Sequence, residues 1–188
     1  GIGGSVLFSA RRGNGNSRGA ENEYFTAAVI GSAILAVLSW AWIWLFERDV
    51  LLFFGADETL LPLAQAYLKP IKCVFPVFLL TQLLTAFLRN DGRPGLATAA
   101  VMAGGIFNVF GDYFCVFTLD LGVFGAGLAT AIGACVSLLV MASHFVSKKC
   151  TLRLVRVAGL FGKLRAIAVM GFSRVYSSNC QRTRTAGL

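Results

Sequence analysis

The chain has 188 residues, of which 56% are hydrophobic and only 14% are charged, and its formal net charge is +8. Because a soluble domain carries about 25% charged residues, this composition excludes an ordinary soluble protein and predicts a membrane protein. The basic residues concentrate after the last apolar segment. Basic segments beside a membrane more often meet anionic lipid than nucleic acid, so we expect the lipid bilayer as a partner and no nucleic acid.

The first part of the chain is too short to cross a bilayer. Residues 1–10 are apolar but would reach only about 15 Å as a helix, so we interpret them as the end of a helix whose start is missing. Residues 11–23 are polar and rich in Gly and Asn, which predicts a loop. The five cysteines include no Cys-x-x-Cys pair, and their spacing favours neither a disulfide framework nor a zinc site.

Four segments are long and apolar enough to span a hydrocarbon core about 30 Å thick, which takes about 20 helical residues. They are residues 25–46, 62–88, 96–119 and 121–146. The sequence therefore predicts an all-α, polytopic transmembrane helix bundle.

The charges of the connecting segments predict the orientation. Acidic residues fill the predicted loop at 47–58, and the turn near Asp120 carries no basic residue. The basic connections alternate with these and contain Arg11, Arg12, Arg18, Arg89, Arg93 and the segment from Lys148 onward. By the positive-inside rule the basic set is cytoplasmic. We expect a multi-pass protein of the plasma (inner) membrane.

Two lysines lie within about two turns of the start of their helix, near its predicted outer end. For Lys69 and Lys72 two interpretations stay open. We favour snorkelling of the ammonium groups to the outer headgroups over the lining of a cavity.

Polar residues interrupt the third span at depth. At 1.5 Å per residue from the turn near Asp120, Asp112 lies about 10 Å deep, Thr130 about 13 Å and Asn108 about 16 Å. Residues four apart share one helix face. The facing stripes are Ala100, Gly104, Asn108 and Asp112 on one helix, and Gly122, Ala126, Thr130 and Ala134 on the next, with Gly125, Ala129 and Gly133 beside them.

A carboxylate, an amide oxygen and a hydroxyl at one depth suit a hard cation, or a proton held on the carboxylate. The alternative is that Asn108, Asp112 and Thr130 only fix the packing by hydrogen bonds between helices. We favour a candidate metal-ion or proton site, because carboxylates inside membrane helices mark ion pathways.

Three motifs resemble a known family. They are Tyr67-Leu-Lys-Pro-Ile with Phe87-Leu-Arg-Asn-Asp-Gly-Arg-Pro94, then Asn108-Val-Phe-Gly-Asp112-Tyr, then Gly122-Val-Phe-Gly-Ala-Gly-Leu-Ala-Thr130. In order and spacing they are similar to the MATE (multidrug and toxic compound extrusion) transporters, over roughly residues 1–165.

The resemblance implies a fold of twelve helices in two lobes. This chain would supply the end of helix 2 and helices 3–6, so that residues 1–147 form a partial N-terminal lobe. Residues 148–188 would form a basic cytoplasmic linker and, after Met170, an aberrant polar tail. Helix 1 and the C-terminal lobe of the parent transporter would be missing partners.

The resemblance also implies a function. Family members export drugs and organic cations in exchange for Na⁺ or H⁺, and Asn108, Asp112 and Thr130 match the coupling-site positions. No cofactor other than the coupling ion is implied. Two alternatives stay open, an exporter of the lipid-linked oligosaccharide flippase type and a non-transporting membrane scaffold. We do not expect an enzyme, because Ser137 lies about 10 Å along the helix axis from the only histidine, His144.

Overall fold

The structure is a computed structural model that describes residues 2–13, 20–146, 150–157 and 159–185. Six α-helices fill most of these ranges, and no strand occurs within them. A π-helical turn, Phe114–Thr118, continues the fourth helix. The helices are α1 (Ile2–Gly13), α2 (Ala20–Phe53), α3 (Leu61–Asn90), α4 (Pro94–Tyr113), α5 (Gly122–Val146) and α6 (Leu160–Thr185).

Four helical segments are long and apolar enough to cross a membrane, and they correspond to the four predicted spans. They are Asn22–Phe53, Leu61–Asn90, Pro94–Thr118 and Gly122–Phe145. Even in the most enclosed of them, only 39% of the apolar window is buried within the chain. Such helices need lipid or further protein to cover their apolar sides. The predicted all-α transmembrane bundle is confirmed.

Two connections predicted as loops are partly helical. Helix α1 continues to Gly13 and α2 already begins at Ala20, so the predicted loop at 11–23 is too long; residues 14–19 lie outside the described residues. Helix α2 also runs through Glu47, with one non-helical residue at Phe46 (φ −120°, ψ 27°). The prediction of a loop beginning at residue 47 is therefore wrong. A partner on α3 neutralises Glu47, so its charge need not lie in a solvated loop.

The turns between the helices depend on residues that adopt positive φ. Gly92 (φ +73°) lies in the turn from α3 to α4, and Pro94 then begins α4, where the missing N–H costs no hydrogen bond. Asp120 (φ +50°) lies in the turn before α5; Asp tolerates this conformation better than most residues. The two turns are short, so α4 runs antiparallel to both α3 and α5.

The best-packed region lies at the end of the bundle where α3 meets α4. Phe87 is fully buried there, and its ring packs edge-on against Phe8 of α1 (5.6 Å between centroids) and Phe25 of α2 (5.0 Å). Leu152, from the non-helical segment 150–157, joins the same core. One aromatic ring thus ties three helices together and gives that segment an apolar anchor.

Helix α6 packs on the bundle. A Cβ on Gly3 of α1 would lie 2.7 Å from the backbone nitrogen of Gly171, so α1 and α6 touch through their backbones. Lys163 of α6 forms an ion pair with Glu23 of α2. The predicted boundary between residues 147 and 148 stays a prediction, and Lys148 and Lys149 lie outside the described residues.

Candidate functional site

Helices α4 and α5 approach to backbone contact along a seam of small residues. A Cβ on Gly133 would lie 2.6 Å from the carbonyl oxygen of Gly104, and a Cβ on Gly111 would lie 2.9 Å from the Cβ of Ala129. Real Cβ contacts are longer, so these positions require glycine at this separation. The residues of α4 and its π-helical turn that contact α5 along the seam are Gly104, Asn108, Gly111 and Cys115.

Asn108 and Thr130 meet across this seam, as predicted. The Asn108 amide nitrogen donates to the Thr130 hydroxyl at 3.0 Å, and that hydroxyl donates to the Ala126 carbonyl at 3.0 Å. The hydroxyl proton is therefore directed along α5, and the oxygen faces the neighbouring helices as an acceptor.

Helix α3 adds an oxygen that the sequence reasoning did not assign to the site. The phenolic oxygen of Tyr67 lies 3.4 Å from the Thr130 hydroxyl oxygen. It can lie there because Gly127 of α5 packs directly against the Tyr67 carbonyl, with Pro70 also close. Tyr67 belongs to the first motif quoted above, and the facing glycine was the available sequence signal.

Asp112 lies beside this group without a hydrogen bond to it. Its side chain is half-buried, and its Oδ1 atom is buried with no hydrogen-bond partner among the described residues. Gly111 faces α5, and Asp112 is the next residue along α4. Because successive helix residues point about 100° apart, the Asp112 side chain does not point directly at α5. The structure thus joins Asn108 to Thr130 by a hydrogen bond and leaves Asp112 with an orphaned acceptor at the edge of the group.

A cavity of about 410 Å³ opens beside the Asn108–Thr130 pair, between α3, α4 and α5. This volume is within the range of small-molecule sites. Asp112 does not line it. Its polar lining residues are Thr81, Gln82, Thr85, Arg89, Asn108, Thr130 and Ser137.

The two lysines of α3 differ in environment. Lys69 is exposed, whereas Lys72 is buried and forms an ion pair with Glu47 of α2. The Lys72 ammonium also lies 4.5 Å from the ring centroid of Trp44, and Trp40 donates from its indole nitrogen to the Lys72 carbonyl at 2.7 Å. The Lys72 ammonium is held by Glu47 and Trp44, so the predicted snorkelling is wrong for this residue, whereas the lining of a cavity stays a prediction.

A second polar cluster lies at the opposite end of α3 and was not predicted. His144 Nε2 lies 2.8 Å from Asp91 Oδ2, and the Thr151 hydroxyl donates to Asp91 Oδ1. Burial raises the pKa of the neighbouring Cys150 thiol and the Asp91 charge adds to this rise, so the thiol is protonated at neutral pH. The sequence signal was a lone histidine and an aspartate at the same end of two adjacent helices.

The comparisons with known proteins agree on one family. The MatE family model matches residues 1–114. Among curated proteins, the multidrug export protein MepA of Staphylococcus saprophyticus is 29% identical over 121 residues, which cover 64% of this chain and 27% of that protein. MepA of Staphylococcus aureus is 30% identical over 101 residues, 54% of this chain and 22% of that protein.

A vertebrate protein is similar as well. The multidrug and toxin extrusion protein 1 of Xenopus tropicalis is 26% identical over 137 residues, which cover 70% of this chain and 24% of that protein. The matches thus cover about a quarter of the length of these curated relatives. No solved structure matches the chain significantly. Because the family model covers more than half of the residues, the chain belongs to the MatE family.

Proposed function

We propose that the chain serves multidrug efflux, in which drugs or organic cations leave in exchange for Na⁺ or H⁺, and that Asn108, Asp112 and Thr130 hold the coupling ion. The relatives named for multidrug export support the first part. Since the chain spans about a quarter of their length, we propose the activity for this chain together with the remaining helices that such relatives contain. Helix 1 and a C-terminal lobe would be those partners.

The observation that carries the ion site is the Oδ1 atom of Asp112, which is buried and has no hydrogen-bond partner in the part of the chain that the structure describes. A buried acceptor without a hydrogen bond costs roughly 1–3 kcal/mol, and more when it is charged. A bound cation or a proton removes this cost. An interhelical hydrogen bond that only fixed the packing would have given this oxygen a partner.

Cation binding would rearrange Asn108. In the structure the amide nitrogen, a donor, faces Thr130. A cation needs oxygen ligands, so the amide would turn to present Oδ1 and give up its bond to the hydroxyl, at a net cost of about 1 kcal/mol. Tyr67 would then remain as a neighbour of Thr130 and supply a further oxygen.

The site would couple ion entry to conformational change through the membrane potential. Each charge that moves inward across the field contributes about 2.3 kcal/mol per 100 mV. An ion that binds one conformation more tightly shifts the equilibrium towards it, which is what alternating access requires. The adjacent cavity of about 410 Å³ is large enough for a small drug.

The alternative exporter of lipid-linked anions loses one of its two supports. That interpretation rested on Lys69 and Lys72 as the cationic groups of a large cavity, and Lys72 is not free to play this part. Its charge is paired with Glu47 instead.

The experiment measures thermal unfolding of the purified full chain in detergent, in NaCl or in choline chloride at equal ionic strength. If Na⁺ binds, a concentration ten times the Kd stabilises the chain by about 1.4 kcal/mol, or roughly 3–6 °C in Tm. The variant Asp112→Asn should lose this increase. Asp120→Asn is the matched control and should retain it, because Asp120 is exposed in a turn.

Proton coupling has its own readout. If Na⁺ has no effect, the purified chain is titrated with base and the released protons are counted with an indicator dye. Asp112→Asn should release one proton fewer per chain than the unmodified chain. A chain that shows neither the Na⁺ effect nor this loss contradicts the proposed site.

A further inference from the structure

A carboxylate, an imidazole and a thiol converge at the end of the bundle where α3 meets α4. Asp112 lies at the opposite end of α4. Asp91 caps the C-terminus of α3, His144 lies in the last turn of α5, and Cys150 begins the segment 150–157. One carboxylate oxygen, one imidazole nitrogen and the thiol sulfur all lie within 4.8 Å of one another. They come from three separate elements, so their convergence is a property of the tertiary structure.

Two of the three side chains are fully enclosed. The side chains of His144 and Asp91 are 2% and 0% exposed, whereas Cys150 is partly exposed. An ion could therefore enter past the sulfur and reach two ligands that water does not solvate.

Backbone hydrogen bonds hold the cysteine in place. Alternate N–H groups of the segment donate to buried side-chain oxygens of the helices: Thr151 to Asp91 (3.3 Å), Arg153 to Asn22 (3.0 Å) and Val155 to Thr26 (3.0 Å). The Leu152 side chain is 4% exposed in the core. The segment is therefore docked on α2 and α3, and Cys150 cannot move far from the Asp91–His144 pair.

We propose that Asp91, His144 and Cys150 form a binding site for a thiophilic divalent cation of the zinc class. Imidazole nitrogen, thiolate sulfur and carboxylate oxygen are the three ligand types that proteins use for Zn²⁺. Mg²⁺ and Ca²⁺ prefer oxygen ligands alone, so this set selects against them.

The geometry requires only small movements. Tetrahedral zinc with bonds of about 2.0–2.3 Å holds its ligand atoms about 3.3–3.8 Å apart. His144 Nε2 and Asp91 Oδ2, now 2.8 Å apart, would separate by roughly 0.5–1 Å, and the sulfur would close in. The Thr151 hydroxyl would stay on Asp91 Oδ1 and orient the carboxylate, and water would take the fourth position.

Binding exchanges protons for the ion. The proton between His144 Nε2 and Asp91 leaves the bond and passes to Nδ1 or to solvent, and the thiol of Cys150 releases its proton to solvent. The ion then links the segment 150–157 to the ends of α3 and α5. The site is independent of the proposed coupling site, because it shares no residue with Asn108, Asp112 or Thr130.

The test is a Co²⁺ titration of the purified, reduced full chain in detergent, with absorption spectroscopy as the readout. We expect one Co²⁺ per chain with the near-ultraviolet band of a thiolate–Co²⁺ bond, and its loss when Zn²⁺ displaces the probe. Excess Mg²⁺ should leave the spectrum unchanged.

Variants locate the site. Cys150→Ser should abolish the thiolate band and weaken Co²⁺ binding at least about tenfold. Losing even a residue that only hydrogen-bonds to a metal ligand weakens metal binding by about ten- to a hundredfold, so losing a direct ligand should cost no less. Because Cys150 is partly exposed, this variant should fold. Cys135→Ser is the matched control and should bind as the unmodified chain does. His144→Gln should weaken binding to a similar degree, provided that its circular dichroism is unchanged.

Two results would overturn the proposal. One is the absence of a saturable band in the unmodified chain, which would leave the cluster as a hydrogen-bonded contact only. The other is a band that persists in Cys150→Ser or disappears in Cys135→Ser.

Discussion

Gly104 of α4 and Gly133 of α5 lie so close that a Cβ on Gly133 would stand 2.6 Å from the Gly104 carbonyl oxygen. Membrane helices associate through such close packing rather than through hydrophobic transfer. Because the same contact sets the distance between Asn108 and Thr130, the seam is both a packing feature and the frame of the candidate site.

The first prediction concerns this seam. Gly133→Ala should lower the free energy of unfolding by about 1–3 kcal/mol, since a methyl group forces two backbones apart. Gly105→Ala is the matched control, because among the described residues no atom outside its own stretch of helix lies within 4 Å of a Cβ there. It should be neutral or stabilising by up to about 1 kcal/mol, as alanine favours helix. Denaturant titration in mixed micelles compares the two, and equal losses would show that the seam is not tight.

The second prediction concerns the Thr130 hydroxyl. Thr130→Val keeps the shape of the side chain but removes the acceptor of the Asn108 amide. Bonds between membrane helices average about 0.6 kcal/mol and reach about 1.7, so we expect a loss in this range. Thr130→Ser retains the hydroxyl and should unfold within about 0.5 kcal/mol of the unmodified chain. A valine variant as stable as the serine variant would contradict the bond.

The third prediction concerns the buried ion pair. Lys72→Met leaves the Glu47 carboxylate, whose side chain is 18% exposed, without its partner and should destabilise the chain by up to about 3–5 kcal/mol, the range for buried pairs. Lys69→Met, three residues earlier and exposed, should change stability by less than about 0.5 kcal/mol.

A double variant tests the mechanism of that loss. Adding Glu47→Gln to Lys72→Met removes the unpaired charge and should recover most of the stability. Thermal unfolding of the unmodified chain, of Lys72→Met, of Glu47→Gln and of the double variant closes a double-mutant cycle. Additive losses would mean that the two residues do not interact.

The fourth prediction concerns the aromatic core. Phe87→Ala removes a fully buried ring that contacts both Phe8 and Phe25, and should cost about 3–5 kcal/mol. Phe117→Ala removes a ring that is 75% exposed and should cost much less. Limited proteolysis should also cut segment 150–157 faster in Phe87→Ala, because Leu152 packs in the same core. An unchanged cleavage rate would argue against that coupling.

The transmembrane helices could be predicted because hydropathy is a local property. A helix in lipid satisfies its own backbone, so a sufficiently long apolar run identifies it without knowledge of its neighbours. The ends were harder. The acidic residues from Glu47 onward predict a loop, and only the position of Lys72 on α3 shows why Glu47 can lie in a helix.

The candidate site shows the same division. Spacing and depth correctly brought Asn108 to Thr130, because both depend on helix geometry and on the short turn at Asp120. Spacing and depth did not predict that Asp112 would lack a hydrogen bond to Asn108 or Thr130. Residues spaced strictly by four drift around the helix by about 40° at each step. The residues that contact α5 are instead spaced by four and three in turn, so after Asn108 the contact falls on Gly111 and not on Asp112.

By itself the sequence determined the all-α membrane class, the four apolar helices and the facing pair Asn108–Thr130. The tertiary structure alone decided that Lys72 pairs with Glu47, that Tyr67 reaches Thr130, and that Asp91, His144 and Cys150 meet. The reason is physical: apolarity and helix period act within one segment, whereas these contacts depend on the rotation and approach of separate helices, which glycine seams and buried rings set together.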